Sequence, residues 1–291
     1  MMYKRVLVAL DGSPWSDAAL GYAIALSTHT GAQLRILTVP TAPVAYAVPD
    51  VMGTSDLVME TVERQGQEIL ILASAQAESA GVAYEIVCKW GNVPETILQT
   101  AAEEGCDLIV LGSRLLTGWK RLMIGSVSNA VTAKAQQPVL VVKQSSPPLS
   151  YSFRWRRVLV ATGGSPWSDA AVDHALALAQ VQHLGVYILY VEPRAQRSAP
   201  ESFMATSEGK NVLALAAARA VAAGVPYETR LAHGNAVEAI LACAAEHECD
   251  VIILGSRGLS GWKRVMLGSI SNAVAAKTTL PVLIVKRFLA G

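Results

Sequence analysis

The chain has 291 residues, of which 52% are hydrophobic and 16% charged, with a net charge of +1. That composition excludes an intrinsically disordered chain, and the near-neutral balance excludes a global electrostatic pull toward nucleic acid or an anionic membrane surface. With no apolar run of about 18 residues, no signal-peptide pattern at the start and no CxxC among the four cysteines, the expectation is a cytoplasmic protein whose Cys88, Cys106, Cys243 and Cys249 are small buried hydrophobes.

In chain order, strands are expected near residues 4–10, 33–39, 83–89, 107–112 and 138–142, with helices near 14–30, 55–80, 93–105 and 126–136. The same sequence of elements then recurs. Strands are expected near 156–161, 186–191, 226–232, 250–255 and 281–285, and helices near 166–183, 202–223, 235–247 and 269–278. The strands are rich in Val, Ile and Leu without polar alternation, as in parallel sheets covered on both faces. Strict β-α alternation implies right-handed crossovers and an α/β, Rossmann-like, doubly wound fold. Ser13-Pro14 and Ser165-Pro166 read as N-caps followed by proline at the first helical position. Gly31, Gly81, Gly185 and Gly224 fall where helix C-caps are expected.

The recurrence is visible in the residues themselves. Arg5 opens RVLVALDGSPWSDAAL and Arg157 opens RVLVATGGSPWSDAAV; Leu111–Lys134 returns closely as Leu254–Lys277. The chain therefore divides into domain 1 over 1–144, a Pro-containing linker over 145–155, and domain 2 over 156–291. The second copy is shorter, and the loss belongs after its second strand. Two exchanges bear on chemistry: Asp11 becomes Gly163, and Leu115 becomes Gly258.

In a doubly wound sheet of strand order 3-2-1-4-5, the order reverses between strands one and four, and ligands bind beyond the carboxyl ends of those strands. The loop after strand four of the second copy carries Gly255, Arg257 and Gly258, then Gly268 and Ser269 where a helix should begin. Glycines allow close backbone approach, and the free N–H groups at a helix start favour an anion. Arg257, Lys263 and Arg264 would add charge-assisted contacts. The alternative is a glycine-rich turn that merely connects strand to helix.

This G-x2-G-x9-G-S pattern resembles the nucleotide motif of the universal stress protein family. The helix after it, the closing Pro-Val-Leu strands, the opening Val-Leu-Val-Ala strand and the Asp-Gly-Ser turn resemble the same family, and the resemblance covers essentially the whole chain, twice. It implies two tandem five-stranded sheets, adenine-nucleotide binding with ATP as the ligand and Mg2+ accompanying it, and a role in stress response. It assigns nucleotide contacts in domain 2 to Val191, Gly255, Arg257, Gly258, Gly268, Ser269, Ile270 and Ser271. In domain 1 it assigns Asp11, Val39, Gly112, Arg114, Gly125, Ser126, Val127 and Ser128, with Leu115 in place of the second glycine. Val191 and Val39 would face the adenine through their backbones. Members of the family commonly dimerise through the last strand. Here that implies an intrachain pseudo-dimer joined along Val139–Val142 and Val282–Val285, with pairing of whole chains left open.

A leucine at a position needing a left-handed backbone costs about 1–2 kcal/mol, whereas losing the Asp11 equivalent leaves the anion-binding backbone intact. Domain 2 is therefore expected to be the better site; the ranking reverses if Asp11 is the main ribose or metal anchor. No GxxxxGK(S/T), HExxH or GxSxG motif is present, so a regulatory ligand, turned over slowly if at all, is expected rather than a catalyst. A nucleotide-free scaffold of the same fold is the alternative. Trp15 and Trp167 read as packing residues near helix starts. Trp119 and Trp262 either cover the crevice or pack at a surface. The five histidines have no metal spacing.

Overall fold

Each expected apolar run forms a strand. The structure, a computed structural model, describes residues 2–41, 54–114, 125–143, 154–192, 201–256 and 268–286. The first half runs β1 (Arg5–Leu10), α1 (Pro14–Thr30), β2 (Gln33–Thr38), α2 (Thr54–Ser79), β3 (Tyr84–Cys88), α3 (Val93–Glu103), β4 (Leu108–Gly112), α4 (Ser126–Lys134) and β5 (Val139–Val142). The second runs β6 (Arg157–Thr162), α5 (Pro166–Gln182), β7 (Gly185–Glu192), α6 (Glu201–Ala222), β8 (Tyr227–His233), α7 (Ala236–Glu246), β9 (Val251–Ser256), α8 (Ser269–Lys277) and β10 (Val282–Lys286). The expected linker, apart from Arg154 and Trp155, lies outside the described residues, as do Trp119, Trp262, Lys263 and Arg264.

The ten strands make one sheet, in the order β3-β2-β1-β4-β5-β10-β9-β6-β7-β8. Within each half the neighbours are parallel and the order is 3-2-1-4-5, so each strand is joined to the next by a crossover helix. The halves join where β5 meets β10 antiparallel, with Val141 opposite Val282 and Val139 opposite Ile284. Left apart, each of these apolar strands would be an exposed sheet edge; joined, all of their core residues are essentially inaccessible. Helices α1, α2, α5 and α6 cover one face of the sheet, and α3, α4, α7 and α8 cover the other. Both cores draw residues from both halves.

The helix boundaries follow local chemistry. Ser13 caps α1, and Ser165 caps α5 in a capping box with Ser168; proline follows each cap. Asn92 and Asn235 cap α3 and α7 through their side chains. Gly31 closes α1 at φ 70°. The expectation for Gly185 is corrected: α5 closes on His183 at φ 57°, and Gly185 is the first residue of β7. His183 occupies the repeat position of Gly31 and accepts a left-handed backbone, so Leu184 can turn into the core at 1% exposure. The cysteine expectation is corrected in one place: Cys106, Cys243 and Cys249 are buried, but Cys88 is exposed because it ends the edge strand β3.

The junction also has polar and aromatic contacts. Tyr3 Oη lies 2.6 Å from His174 Nε2 on α5, and Tyr22 of α1 packs on Trp155, which is 3% exposed. Burial pulls the His174 pKa from 6.5 down to about 4, so the imidazole hydrogen-bonded to the Tyr3 hydroxyl is neutral. The folded state then binds fewer protons here than the unfolded chain. The associated stability is present above about pH 6.5 and is lost as pH falls toward 4. Urea midpoints are expected to decline over that interval by the equivalent of up to about 3 kcal/mol. His174→Gln, which keeps a polar partner for Tyr3 without titrating, should remove most of that decline. An unchanged pH slope in the variant would contradict the assignment.

Candidate functional site

In the second half the strand order reverses between β6 and β9. At their carboxyl ends lies a cavity of about 600 Å³, a size suited to a small-molecule ligand. Ala161, Leu189, Val191, Ala236, Ile240 and Leu254 give it apolar walls. Thr162, Ser165, Ser168, Ser269 and Ser271 bring hydroxyls, and Trp167 lies along one side. Trp167, expected from the sequence as a packing residue near the helix start, is partly exposed and is among the residues that line the cavity.

Local sequence shapes the floor. A Cβ on Gly255 would fall on the Trp167 carbonyl and lie 2.8 Å from the Ser168 amide nitrogen. Glycine lets the start of α5 press against the end of β9, which brings the two rims of the cavity together. Gly112 does the same against Trp15 in the first half. Gly163 is different. A Cβ there meets nothing within 4 Å and its φ is not in the left-handed region, so neither a close contact nor the backbone requires a glycine at this position.

The turn after the first strand of each half is held by different groups. In the first half Asp11 Oδ1 accepts a hydrogen bond from the Ser13 amide at 3.0 Å. In the second half, hydroxyls do this work. Ser168 Oγ accepts from the Gly163 and Ser165 amides at 3.2 and 3.0 Å, and Thr162 Oγ1 accepts from Gly164 at 3.3 Å. The carboxylate is thus dispensable for the turn, and the described lining of the second-half cavity carries no negative charge.

Helix α8 starts at the cavity on Gly268, with no side-chain cap, and α4 starts likewise on Gly125. By contrast α1, α3, α5 and α7 all have side-chain caps. The Ser271 hydroxyl donates to the Gly268 carbonyl at 3.1 Å and so does not satisfy the first amides. An uncapped helix start facing a cavity offers free N–H donors and a positive dipole end to an anion.

Of the residues anticipated in domain 2, Val191, Gly255, Gly268, Ser269, Ile270 and Ser271 line this one cavity; Arg257 and Gly258 lie outside the described residues. In domain 1, Gly112 ends β4 and Arg114 is exposed beyond it. Gly125, Ser126, Val127 and Ser128 form the start of α4, and Val39 packs on the core just after β2. Asp11 is exposed at its turn, and Leu115 lies outside the described residues.

Sequence reasoning missed two lysines. Lys143 and Lys286 follow or end the last strand of each half at 1% and 8% exposure. Lys143 Nζ donates to Ser113 Oγ at 3.0 Å and Lys286 Nζ to Ser256 Oγ at 3.2 Å. Burial pulls both pKa values from 10.5 down to about 8. A lysine after an apolar run ordinarily reads as a solvated strand end. The available signal was that lysine and serine each recur at the same repeat position.

The fold, the reversal of strand order and the glycine-based helix start can now be set beside known proteins. The profile of the universal stress protein family matches residues 2–143 and again 154–286. This chain belongs to the universal stress protein family. The universal stress protein YxiE of Bacillus subtilis is 36% identical over 148 residues, covering 49% of this chain and 100% of the relative. A universal stress protein of Mycolicibacterium smegmatis is 25% identical over 291 residues, covering 97% of this chain and 96% of the relative. The crystal structure of a universal stress protein from Archaeoglobus fulgidus DSM 4304 superimposes with a TM-score of 0.76 at 23% identity, covering 98% of both chains. The tandem arrangement is thus a full-length feature shared with other members.

Among the described residues no group of three or more His, Cys, Asp or Glu could hold a metal ion. Among the described residues no carboxylate lines the second-half cavity. The residues present do not fit a protein-held Mg2+ there; a magnesium ion entering with a nucleotide would rely on the phosphates and water. No helix among the described residues is long and apolar enough to cross a membrane.

Proposed function

We propose that this universal stress protein binds ATP as a regulatory ligand, in the crevice of its second half. The observation that carries the reading is the cavity at the β6–β9 reversal, closed at one end by the uncapped start of α8. Its apolar walls suit an adenine, and Val191 at the end of β7 offers backbone groups beside them. The free amides at Gly268 to Ser271 suit phosphates. The lining hydroxyls of Thr162, Ser165, Ser168, Ser269 and Ser271 have no imidazole or carboxylate among the described lining residues to act as a base. The site therefore supports a ligand that is held rather than consumed, and binding to the folded state alone would stabilise that state.

The first half serves in this reading as a structural partner. One Asp11 oxygen is already engaged by its turn, and Leu115 stands where the nucleotide motif has a glycine. The β5–β10 pairing covers the strand edges through which the family resemblance implies dimer formation, so the two halves act as an internal dimer. A cytoplasmic setting is part of the same proposal and accords with four free cysteines.

Calorimetric titration of nucleotide-stripped full-length protein with ATP and Mg2+ tests the reading. The expected result is about one ATP per chain with micromolar affinity, about −8 kcal/mol, unchanged in Asp11→Ala. Two sites would add the first half as a second binding site, and loss in Asp11→Ala would transfer the function to it. Absence of heat, together with no nucleotide released on denaturing the untreated protein, would leave a nucleotide-free scaffold.

A further inference from the structure

We propose that Lys286 is a built-in cation that adapts the second-half site to polyanionic ligands, acting through Ser256 on the start of α8, so that phosphate binding is coupled to its protonation. The inference rests on the nucleotide reading above and extends it to a residue that does not itself line the cavity.

The geometry begins with register. Lys286 pairs with Ser256 across the parallel β10–β9 ladder. Both follow the strand alternation of Leu254 and Ile284, which point into the core beneath α7 and α8. Lys286 Nζ donates to Ser256 Oγ at 3.2 Å. That oxygen would stand 3.8 Å from a Cβ on Gly268, so the serine sits directly beneath the α8 N-cap. The first half repeats the chain of contacts: Lys143 Nζ donates to Ser113 Oγ at 3.0 Å, and the Gly125 amide donates to the same oxygen at 3.4 Å.

An ammonium in this position is unfavourable on its own terms. It is removed from water, and it lies beneath the positive end of a helix dipole. None of the ion pairs among the described residues gives it a carboxylate. The neighbouring elements do not compensate either. Strands β5 and β9 carry no charged residue. Helix α8 has only Lys277, in its last turn. On α7, Glu238 is exposed in the first turn, and Glu246 at the far end pairs with Arg230. On the opposite face, Asp169 and Asp173 of α5 pair with Arg219, and His174 bonds Tyr3. Burial alone lowers the lysine to about 8. What would offset a cation in this place is an anion bound at the amides above it. A phosphate there favours the charged amine and raises its pKa. Binding at pH 8 therefore takes up about half a proton per ligand.

The test is ATP affinity of the full chain from pH 7.5 to 9.5, where the terminal phosphate, with a second pKa of about 6, is already ionised. The wild type should weaken about tenfold across this range, at about 1.36 kcal/mol per tenfold. Lys286→Arg should bind at pH 7.5 but lose the slope, because guanidinium does not titrate there. Lys286→Met should bind at least about tenfold more weakly at pH 7.5 with a flat profile, while its ligand-free melting temperature is equal to or above that of the wild type. A lysine with only a structural role would give the opposite: a lower melting temperature and unchanged affinity. If Lys286→Met fails to fold, the Arg profile still decides. Variants that match the wild type in affinity and slope overturn this inference and leave the nucleotide reading intact. A wild type that binds no ATP at any pH overturns both.

Discussion

Gly255→Ala is expected to destabilise the protein by about 3 kcal/mol, at the upper end of ordinary overpacking costs. The added methyl would be driven into the Trp167 carbonyl and the Ser168 amide. These are backbone atoms of the first turn of α5, held by the Ser165 capping box and its proline, so the helix start must move as a unit. The melting temperature should fall by roughly 6–12 °C at about 2–4 °C per kcal/mol. Gly163→Asp is the informative control. It lies at the same crevice, but a side chain there has open space, and its effect on stability should stay within about 0.5 kcal/mol. Differential scanning calorimetry of the two variants checks both. Equal melting temperatures would mean that the close approach of β9 and α5 is not enforced by the missing Cβ.

That contrast shows where the sequence was legible. Two glycines in one crevice look alike in a string of letters. One is required by a backbone contact made 88 positions away in sequence, between Gly255 and Trp167; the other is not required at all. The β-α alternation, the 3-2-1-4-5 order and the caps at Ser13 and Ser165 rest on local periodicity and turn chemistry, and those are written in neighbouring residues. The C-cap at His183 was misread through attention to the nearby Gly185. Repeat alignment with Gly31 points to His183 directly, and α5 closes there. The burial of Lys143 and Lys286 has another origin. It depends on β5 and β10 covering each other and on α4 and α8 lying above them. A tertiary arrangement buries lysines that stand where strand ends are ordinarily solvated. Cys88 went the other way, because the sheet ends at β3 and leaves that strand's last residue uncovered.

Gly268→Asp should separate the helix start's two roles by moving them in opposite directions. The backbone at Gly268, φ −52° and ψ 136°, is extended enough for an ordinary residue. A Cβ there would meet the Ser271 hydroxyl at 3.2 Å, a side-chain tip that can turn aside, and the Ser256 hydroxyl at 3.8 Å, an ordinary contact. Aspartate is among the best N-caps, and its carboxylate would accept hydrogen bonds from the first amides of α8, stabilising the ligand-free protein by about 1 kcal/mol. The same carboxylate would occupy the donors proposed for phosphate and place a negative charge beside it. Loss of two or three charge-assisted hydrogen bonds, together with that repulsion, should weaken ATP binding at least about 100-fold. The variant would then melt slightly higher than the wild type without ligand and gain nothing from added ATP. Gly125→Asp at the corresponding start of α4 should give the first half the same stabilisation and leave ATP affinity unchanged. If instead Gly125→Asp abolished binding and Gly268→Asp did not, the nucleotide would belong to the first half, and Asp11 would become its anchor. Unchanged affinity in both variants would remove the helix starts from the ligand site.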